Sequence, residues 1–164
     1  MLESYRELVS LLRRKLELLL LLRAGGEALL ECLTTSRYRN PGSRRGWAER
    51  ALKSLAEQDA LVRQLRSLDR EASERRKALA AAVRCPGDAT LRELAMRLPG
   101  ELRDELMELR RELLRQIKEL ERVQLTLGVV ADHGKKLTAR LLDVMTGISH
   151  RGHDPGMYMV NVFV

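Results

Sequence analysis

Aromatic residues are scarce in this chain of 164 residues: Phe, Trp and Tyr together make up 3% of it. β-Strands draw on aromatic and β-branched residues, and here these residues cluster only near the C-terminus, at 157–164. The rest of the sequence is dominated by Leu, Ala, Glu and Arg, a composition typical of long helices. The scarcity therefore argues against a sheet protein and predicts an all-α fold.

Cysteine and long hydrophobic runs are also rare. Cys32 and Cys85 are far apart, so they form neither a disulfide framework nor a CxxC pair for a metal or redox site. The most hydrophobic stretch, 16–22, has seven residues with Glu17 inside it, whereas a membrane span needs about 20 apolar residues. Glu3 and Glu17 also interrupt any signal-peptide pattern. We therefore expect a cytoplasmic protein without stable membrane insertion.

Motifs for catalysis and cofactor binding are missing too. The sequence has no GxxxxGK[ST] loop, no GxGxxG after a strand, no HExxH and no GxSxG. His150, His153 and Asp154 are loosely spaced in a glycine-containing tail, which gives no rigid second shell for a metal. Asp132 and His133 are adjacent on a helix and so point to different faces. We expect no catalytic residue, no metal site and no cofactor.

Charge is abundant and basic in balance, with 30 Lys and Arg against 23 Asp and Glu, a formal net charge of +7. Such a balance favours acidic partners, but the acids are spread among the bases, as on solvated helix faces. The segment 36–46 carries four arginines and the turn-forming Asn40-Pro41-Gly42, and predicts an exposed connector. Only Tyr38 is available there for base stacking, so we expect no nucleic-acid partner.

Apolar residues recur at steps of three and four in three long segments, the spacing that lines one face of a helix. The predicted helices run from residue 2 to 34 or 35, from 47 or 48 to 83, and from 101 to near 147. Their stripes are Tyr5, Leu8, Leu12, Leu16, Leu19, Leu22, Leu30 and Leu33; Ala51, Leu55, Gln58, Val62, Leu65, Leu68, Ala72, Leu79 and Val83; and Leu102, Leu106, Leu109, Leu113, Ile117, Leu120, Val123, Leu127, Val130, Leu137, Leu141, Val144 and Ile148. Gly25 and Gly26 interrupt the first stripe, where we expect a bend or close backbone packing.

A short helix is predicted between the second and third long ones. Thr90 and Glu93 have the spacing of a capping box, in which each side chain accepts a hydrogen bond from the backbone amide of the other residue. This helix should end at Leu98, and Pro99 suits the first turn of the next helix.

Each long helix has one apolar face and none is stable alone in water, so the faces should pack together. We predict an elongated, coiled-coil-like antiparallel bundle of three long helices and one short helix, with the last helix overhanging the others. The bundle should occupy 1–149, and the tail 150–164 should dock either on the bundle or on a partner. The overhang leaves an apolar side without a neighbour, which predicts a client-binding surface at Leu127, Val130, Leu137, Leu141, Val144 and Met145.

Two local patterns match a known family. One is the threonine-leucine short helix at 89–94 followed by Leu98-Pro99 and a run of Glu, Leu and Arg at 101–106, and the other is Tyr158 in a glycine-containing tail. With its order of long, long, short and long helices, the whole chain resembles the FlgN-type flagellar export chaperones. It departs from that family at 123–126, where the sequence VQLT stands in place of an asparagine-rich segment.

The resemblance implies a cytosolic chaperone of the flagellar type III export system. Its partners would be the hook-associated axial proteins, whose amphipathic C-terminal helices it would mask, and the cytosolic domain of the export gate. Tyr158 would dock at that gate. Two alternatives remain: a coiled-coil adaptor that forms a homodimer, and a basic helical protein that binds nucleic acid.

Overall fold

The structure of the chain, a computed structural model, describes residues 1–39 and 44–152, with side chains at 1–34, 49–133 and 135–136. In those residues it contains four helices and no strand: α1 (Leu2–Arg39), α2 (Arg44–Ala82), α3 (Leu91–Met96) and α4 (Gly100–Gly152). The predicted all-α fold of three long helices and one short helix is confirmed.

Helices α1 and α2 run antiparallel. Near the start of α1, Glu7 forms an ion pair with Arg75, late in α2. About two turns further along the chain direction of α1, Lys15 pairs with Asp69, which precedes Arg75 in α2. These pairs hold one register between the two helices, although exposed ion pairs contribute only about 0–1 kcal/mol each.

Helices α1 and α4 run parallel. The Tyr5 hydroxyl donates to Glu105 near the start of α4, whereas Arg23 donates to Gln116, further along both helices. Since α2 is antiparallel to α1, it is also antiparallel to this part of α4. The three long helices therefore pack in alternating directions, as predicted.

The core combines the apolar stripes of all four helices. Its buried members come from α1, α2, α3, the turns on either side of α3 and the first half of α4: Tyr5, Leu8, Val9, Leu12, Leu19, Ala72, Leu79, Ala80, Ala89, Leu94, Ala95, Leu98, Leu106, Leu109 and Leu113. Fully burying one such leucine contributes about 1.5–3 kcal/mol. This cluster, and not helix propensity, accounts for most of the stability of the bundle.

The turn after α2 has the geometry of a helix C-cap. Arg84 adopts a left-handed conformation with φ of 55°, and the Cys85 amide donates to the Ala80 carbonyl at 2.8 Å. This pairing is the Schellman motif, in which the left-handed position is usually glycine. The chain then enters α3 through the predicted capping box of Thr90 and Glu93, which is present in full.

Several details differ from the predictions. Helix α1 continues to Arg39 and α2 begins at Arg44, so the predicted break at 36–46 is too long. Serine and arginine are compatible with helix, and Pro41 is the residue of the segment that opposes helix most strongly. Leu55 was expected in the α2 stripe but is 49% exposed. The buried or half-buried face of α2 is formed by positions 51, 54, 58, 61, 65, 68 and 72. Leu55 lies just outside this face.

At Gly25 and Gly26 the helix is unbroken, and the expected close packing is present. Gly26 is buried. A Cβ atom on Gly25 would lie 3.4 Å from Cγ of Gln58 on α2. The absence of a side chain therefore lets Gln58 approach the α1 backbone.

The chain divides into two compact units, Met1–Val123 and Gln124–Val164. The packing described above belongs to the first unit. The predicted overhang of the last helix, the coiled-coil geometry and the predicted boundary after residue 149 stay predictions.

Candidate binding surface

A buried tyrosine anchors the seam between α1 and α4. The Tyr5 ring lies in the core, and its hydroxyl shares one proton between two acceptors, Glu105 Oε2 at 2.6 Å and the Leu102 carbonyl at 3.0 Å. The other oxygen of Glu105 accepts from Arg13 at 2.7 Å. Burial, together with the negative charge of Glu105, raises the pKa of the Tyr5 hydroxyl well above its usual range. The group therefore stays a neutral donor and acts as a structural link.

A second polar link lies further along the same two helices. Gln116 is only 3% exposed, and its Oε1 accepts from Arg23 Nη1 at 2.8 Å. Its amide nitrogen donates to Glu112, which also accepts from Arg115. These hydrogen bonds, first that from Arg115 and then that from Gln116, lower the pKa of Glu112. Both the oxygen and the nitrogen of the buried amide thus have a hydrogen-bond partner, as is usual for a polar group in a core.

Open surface cavities occur in the described part of the first unit. One, of about 540 Å³, lies beside Tyr5 and Glu105, and another, of about 980 Å³, lies between α1 and α2. Charged side chains line both of them, and their linings contain no histidine or cysteine. Ser10 and at least two glutamates line each of them.

Most of the remaining charge pairs are local to one helix. Arg63 bonds Asp59 on α2, and Arg115 bonds Glu112 on α4. Such pairs stabilise a helix by about 0.2–0.5 kcal/mol each. They are consistent with the interpretation of the basic composition as solvated helix faces.

Two of the predicted client-binding residues, Leu127 and Val130, lie within the described side chains of α4, and both are half-buried. They continue the α4 stripe beyond Leu106 and Leu113, which are buried in the core. The other four predicted residues fall on the α4 backbone, but their side chains lie outside the described residues: Leu137, Leu141, Val144 and Met145. Tyr158, predicted to dock at the export gate, lies wholly outside them.

Leu125 and Val129 are two exposed apolar residues that lie off the predicted α4 stripe. Their side chains are 72% and 70% exposed. Between 124 and 136, none of the side chains that the structure describes is buried. The signal in the sequence was present: 124–131 reads QLTLGVVA and contains no charged residue, in a chain that is 32% charged. This part of α4 is the main candidate for a binding surface.

Potential metal ligands do not gather in the described part of the chain, where no group of three or more His, Cys, Asp or Glu side chains could hold an ion. Asp132 and His133 are both exposed. Among the described residues, no helix is both long and apolar enough to cross a membrane.

Comparisons with known proteins add no relative. No family model, no curated protein and no solved structure matches this chain.

Proposed function

We propose that the chain is a cytoplasmic chaperone of the FlgN type, which binds the amphipathic C-terminal helices of hook–filament junction proteins before their export. One observation supports the binding role: the apolar stripe of α4 runs on from buried Leu113 to half-buried Leu127 and Val130. The identity of the client rests on the resemblance in helix order and in the short-helix motif.

The proposed recognition is an amphipathic helix laid against the apolar side of α4. Such a partner helix places apolar residues at steps of three and four, the same spacing as Leu127 and Val130 with the sequence positions 137, 141 and 144. Covering the apolar face of the client helix in the cytoplasm would keep the client from assembling before its export. The chaperone would then deliver it to the gate of the flagellar type III export system.

The role is binding without catalysis. The described cavities hold charged side chains that pair with one another, such as Arg13 with Glu105 and Glu7 with Arg75. A binding protein needs only the apolar face and the rigid bundle that carries it.

A calorimetric titration of the full chain with the C-terminal segment of a junction protein, at 50 and 500 mM salt, tests the proposal. Apolar burial predicts binding whose affinity changes little between the two conditions. A nucleic-acid-binding protein would instead bind duplex or single-stranded DNA with an affinity that falls steeply with salt. A stable homodimer that does not bind the segment would favour the coiled-coil adaptor.

The role of Tyr158 at the export gate is tested by deleting 155–164. The docking role predicts unchanged thermal stability and client affinity, with loss of capture of the client complex by the soluble domain of the gate. If the deletion lowers the melting temperature by several degrees and leaves gate capture intact, the tail is structural and the docking role is wrong.

A further inference from the structure

The positive charge of the chain is concentrated at the connection between α1 and α2. Residues 32–48 contain four arginines and no acidic residue. Outside this stretch, the other 26 of the 30 Lys and Arg are set against all 23 Asp and Glu, so more than half of the net charge of +7 comes from one short part of the chain. We call its basic residues the tip arginines: Arg37, Arg39, Arg44 and Arg45.

The register between α1 and α2 brings the two helix ends at this connection together. Glu7 pairs with Arg75, and a Cβ atom on Gly25 would touch the side chain of Gln58. In both contacts the two residues are equally far, to within one residue, from the sequence position 41–42. Since α1 ends and α2 begins on either side of that position, this register places the last turn of α1 beside the first turn of α2.

The short connection also keeps the tip arginines close to one another. Five chain steps separate Arg39 from Arg44, so their Cα atoms are at most about 19 Å apart along any path. The other two tip arginines are within two residues of these. Four positive charges are therefore held within about 30 Å at one end of a helical hairpin.

A nucleic acid is a poor match for so small a basic region. Even a single DNA-binding module buries about 600–1,000 Å² of protein surface. Along the sides of the hairpin, acids alternate with bases, as in the pairs of Arg23 with Glu27 and of Arg63 with Asp59. A polyanion that extended from the tip along either helix would meet these carboxylates.

An anionic membrane surface matches the tip better. Its headgroups move laterally and gather around the charges, whereas a protein partner would need carboxylates fixed at matching positions. Each arginine close to such a surface strengthens binding about fivefold. Tyr38 and Trp47, two of the five aromatic residues of the chain, lie in the same stretch, and both residue types are enriched where membranes meet water.

We propose that the tip arginines dock the protein on the anionic phospholipid headgroups of a membrane. The contact is peripheral and reversible, because it depends on charge and uses no apolar segment long enough to insert. It goes beyond the proposed function, since it involves none of the residues proposed to bind a client.

The test is sedimentation of the full chain with vesicles of phosphatidylcholine, alone or with about 30% phosphatidylglycerol, at 100 and 500 mM salt. The tip variant has all four tip arginines replaced by Gln, and the lysine variant has them replaced by Lys. The matched control removes the same charge from exposed positions elsewhere on α1 and α2: Arg6→Gln, Arg14→Gln, Arg66→Gln and Arg70→Gln. The tip variant and the control both keep 26 Lys and Arg against 23 Asp and Glu, a formal net charge of +3, so only the place of the lost charge differs.

We expect the wild type to bind the phosphatidylglycerol vesicles at 100 mM salt, to release them at 500 mM, and not to bind phosphatidylcholine alone. The tip variant should bind at least about tenfold more weakly, and the lysine variant and the control within about threefold of the wild type. Circular dichroism checks the helix content. If the tip variant loses helix, the pair Arg39→Gln and Arg44→Gln replaces it, with an expected loss of about fivefold or more.

Four results would overturn the proposal. The wild type does not bind the anionic vesicles, or the control loses as much affinity as the tip variant, which would assign the binding to net charge. The lysine variant loses as much as the tip variant, which would indicate a partner that requires the arginine fork. Finally, the tip arginines hold single- or double-stranded DNA more tightly than the vesicles, which would make nucleic acid the partner. Client affinity should be unchanged in every variant, so the proposed function is judged separately.

Discussion

At the scale of single residues, the Tyr5 hydroxyl links two helices that are far apart in sequence. Tyr5→Phe removes its hydrogen bonds to Glu105 and to the Leu102 carbonyl. We expect the free energy of unfolding, measured in urea, to fall by about 1–2 kcal/mol. An unchanged free energy of unfolding would mean that water donates a hydrogen bond to Glu105 as well as the Tyr5 hydroxyl does.

The same tyrosine predicts a loss of stability at alkaline pH. Because the pKa of Tyr5 is raised in the folded chain, its contribution is complete below the ordinary value of about 10 and declines as the pH rises above it. Denaturation at pH 8 and at pH 11 should therefore show that the free energies of unfolding of the wild type and of Tyr5→Phe differ less at the higher pH.

Gln116 offers a second test, because it is a buried amide whose acceptor is used by Arg23. Arg23→Met leaves that acceptor unpaired, and should cost about 1–2 kcal/mol. Adding Gln116→Leu removes the unpaired buried acceptor, at the loss of the hydrogen bond from Gln116 to Glu112, so the double variant should be more stable than Arg23→Met alone. Arg14→Met, at an exposed position of α1, should change stability by less than about 0.5 kcal/mol. Additive losses in the double variant would contradict this account.

At the scale of elements, the capping box starts α3. Glu93 accepts from the Thr90 backbone amide at 2.7 Å, and this bond, followed by that from the Thr90 hydroxyl, lowers the pKa of Glu93. Its contribution is therefore complete above the ordinary carboxyl pKa of about 4.3 and is lost as the pH falls through the lowered value. Glu93→Ala should destabilise the chain at pH 7, and by less as the pH is lowered into the acid range. Glu121→Ala, an exposed glutamate on α4, should be nearly neutral throughout.

The end of α2 predicts a stabilising substitution. Arg84 is left-handed with φ of 55°, a conformation that costs an L-residue about 1–2 kcal/mol and glycine nothing. Glycine also increases the conformational entropy of the unfolded chain, which offsets part of this gain. We therefore expect Arg84→Gly to raise the free energy of unfolding by about 0.5–1 kcal/mol. Arg97→Gly is the control, since Arg97 ends α3 at φ of −98° and should lose stability. A destabilised Arg84→Gly variant would show that its side chain contributes contacts.

The sequence predicted the helices well, because leucine spacing reports directly which face is buried. It predicted the α1 stripe, from Tyr5 to Leu22, and the capping box at Thr90. It did not predict Gln116 as a core residue, because a polar side chain becomes buried only when a partner, here Arg23, arrives from another helix. The first boundary of α2 was also missed, since arginine at 44 and 45 permits helix and does not require it.

The candidate surface was predicted in part, for a related reason. Leu127 and Val130 followed from the period of the stripe, but Leu125 and Val129 lie off that period. A periodic pattern identifies one apolar face of a helix, so it misses apolar residues that lie on another face. The absence of charged residues over 124–131 indicates this surface better, because it does not depend on which face of the helix a residue occupies.

At the scale of the whole molecule, a stable four-helix unit, Met1–Val123, is joined through α4 to a segment whose described side chains are not buried. The first unit has the large apolar core that stabilises the fold. The described part of the second unit has apolar side chains that are exposed or half-buried. This difference in burial between the two units supports the proposed binding role of α4.

Hydrogen–deuterium exchange of the full chain, with and without the C-terminal segment of a junction protein, tests that assignment most directly. The account predicts that the segment slows amide exchange at 124–136 strongly, and at 44–82 little or not at all. Binding that protects α2 or the Tyr5–Glu105 seam, while exchange at 124–136 is unchanged, would contradict it.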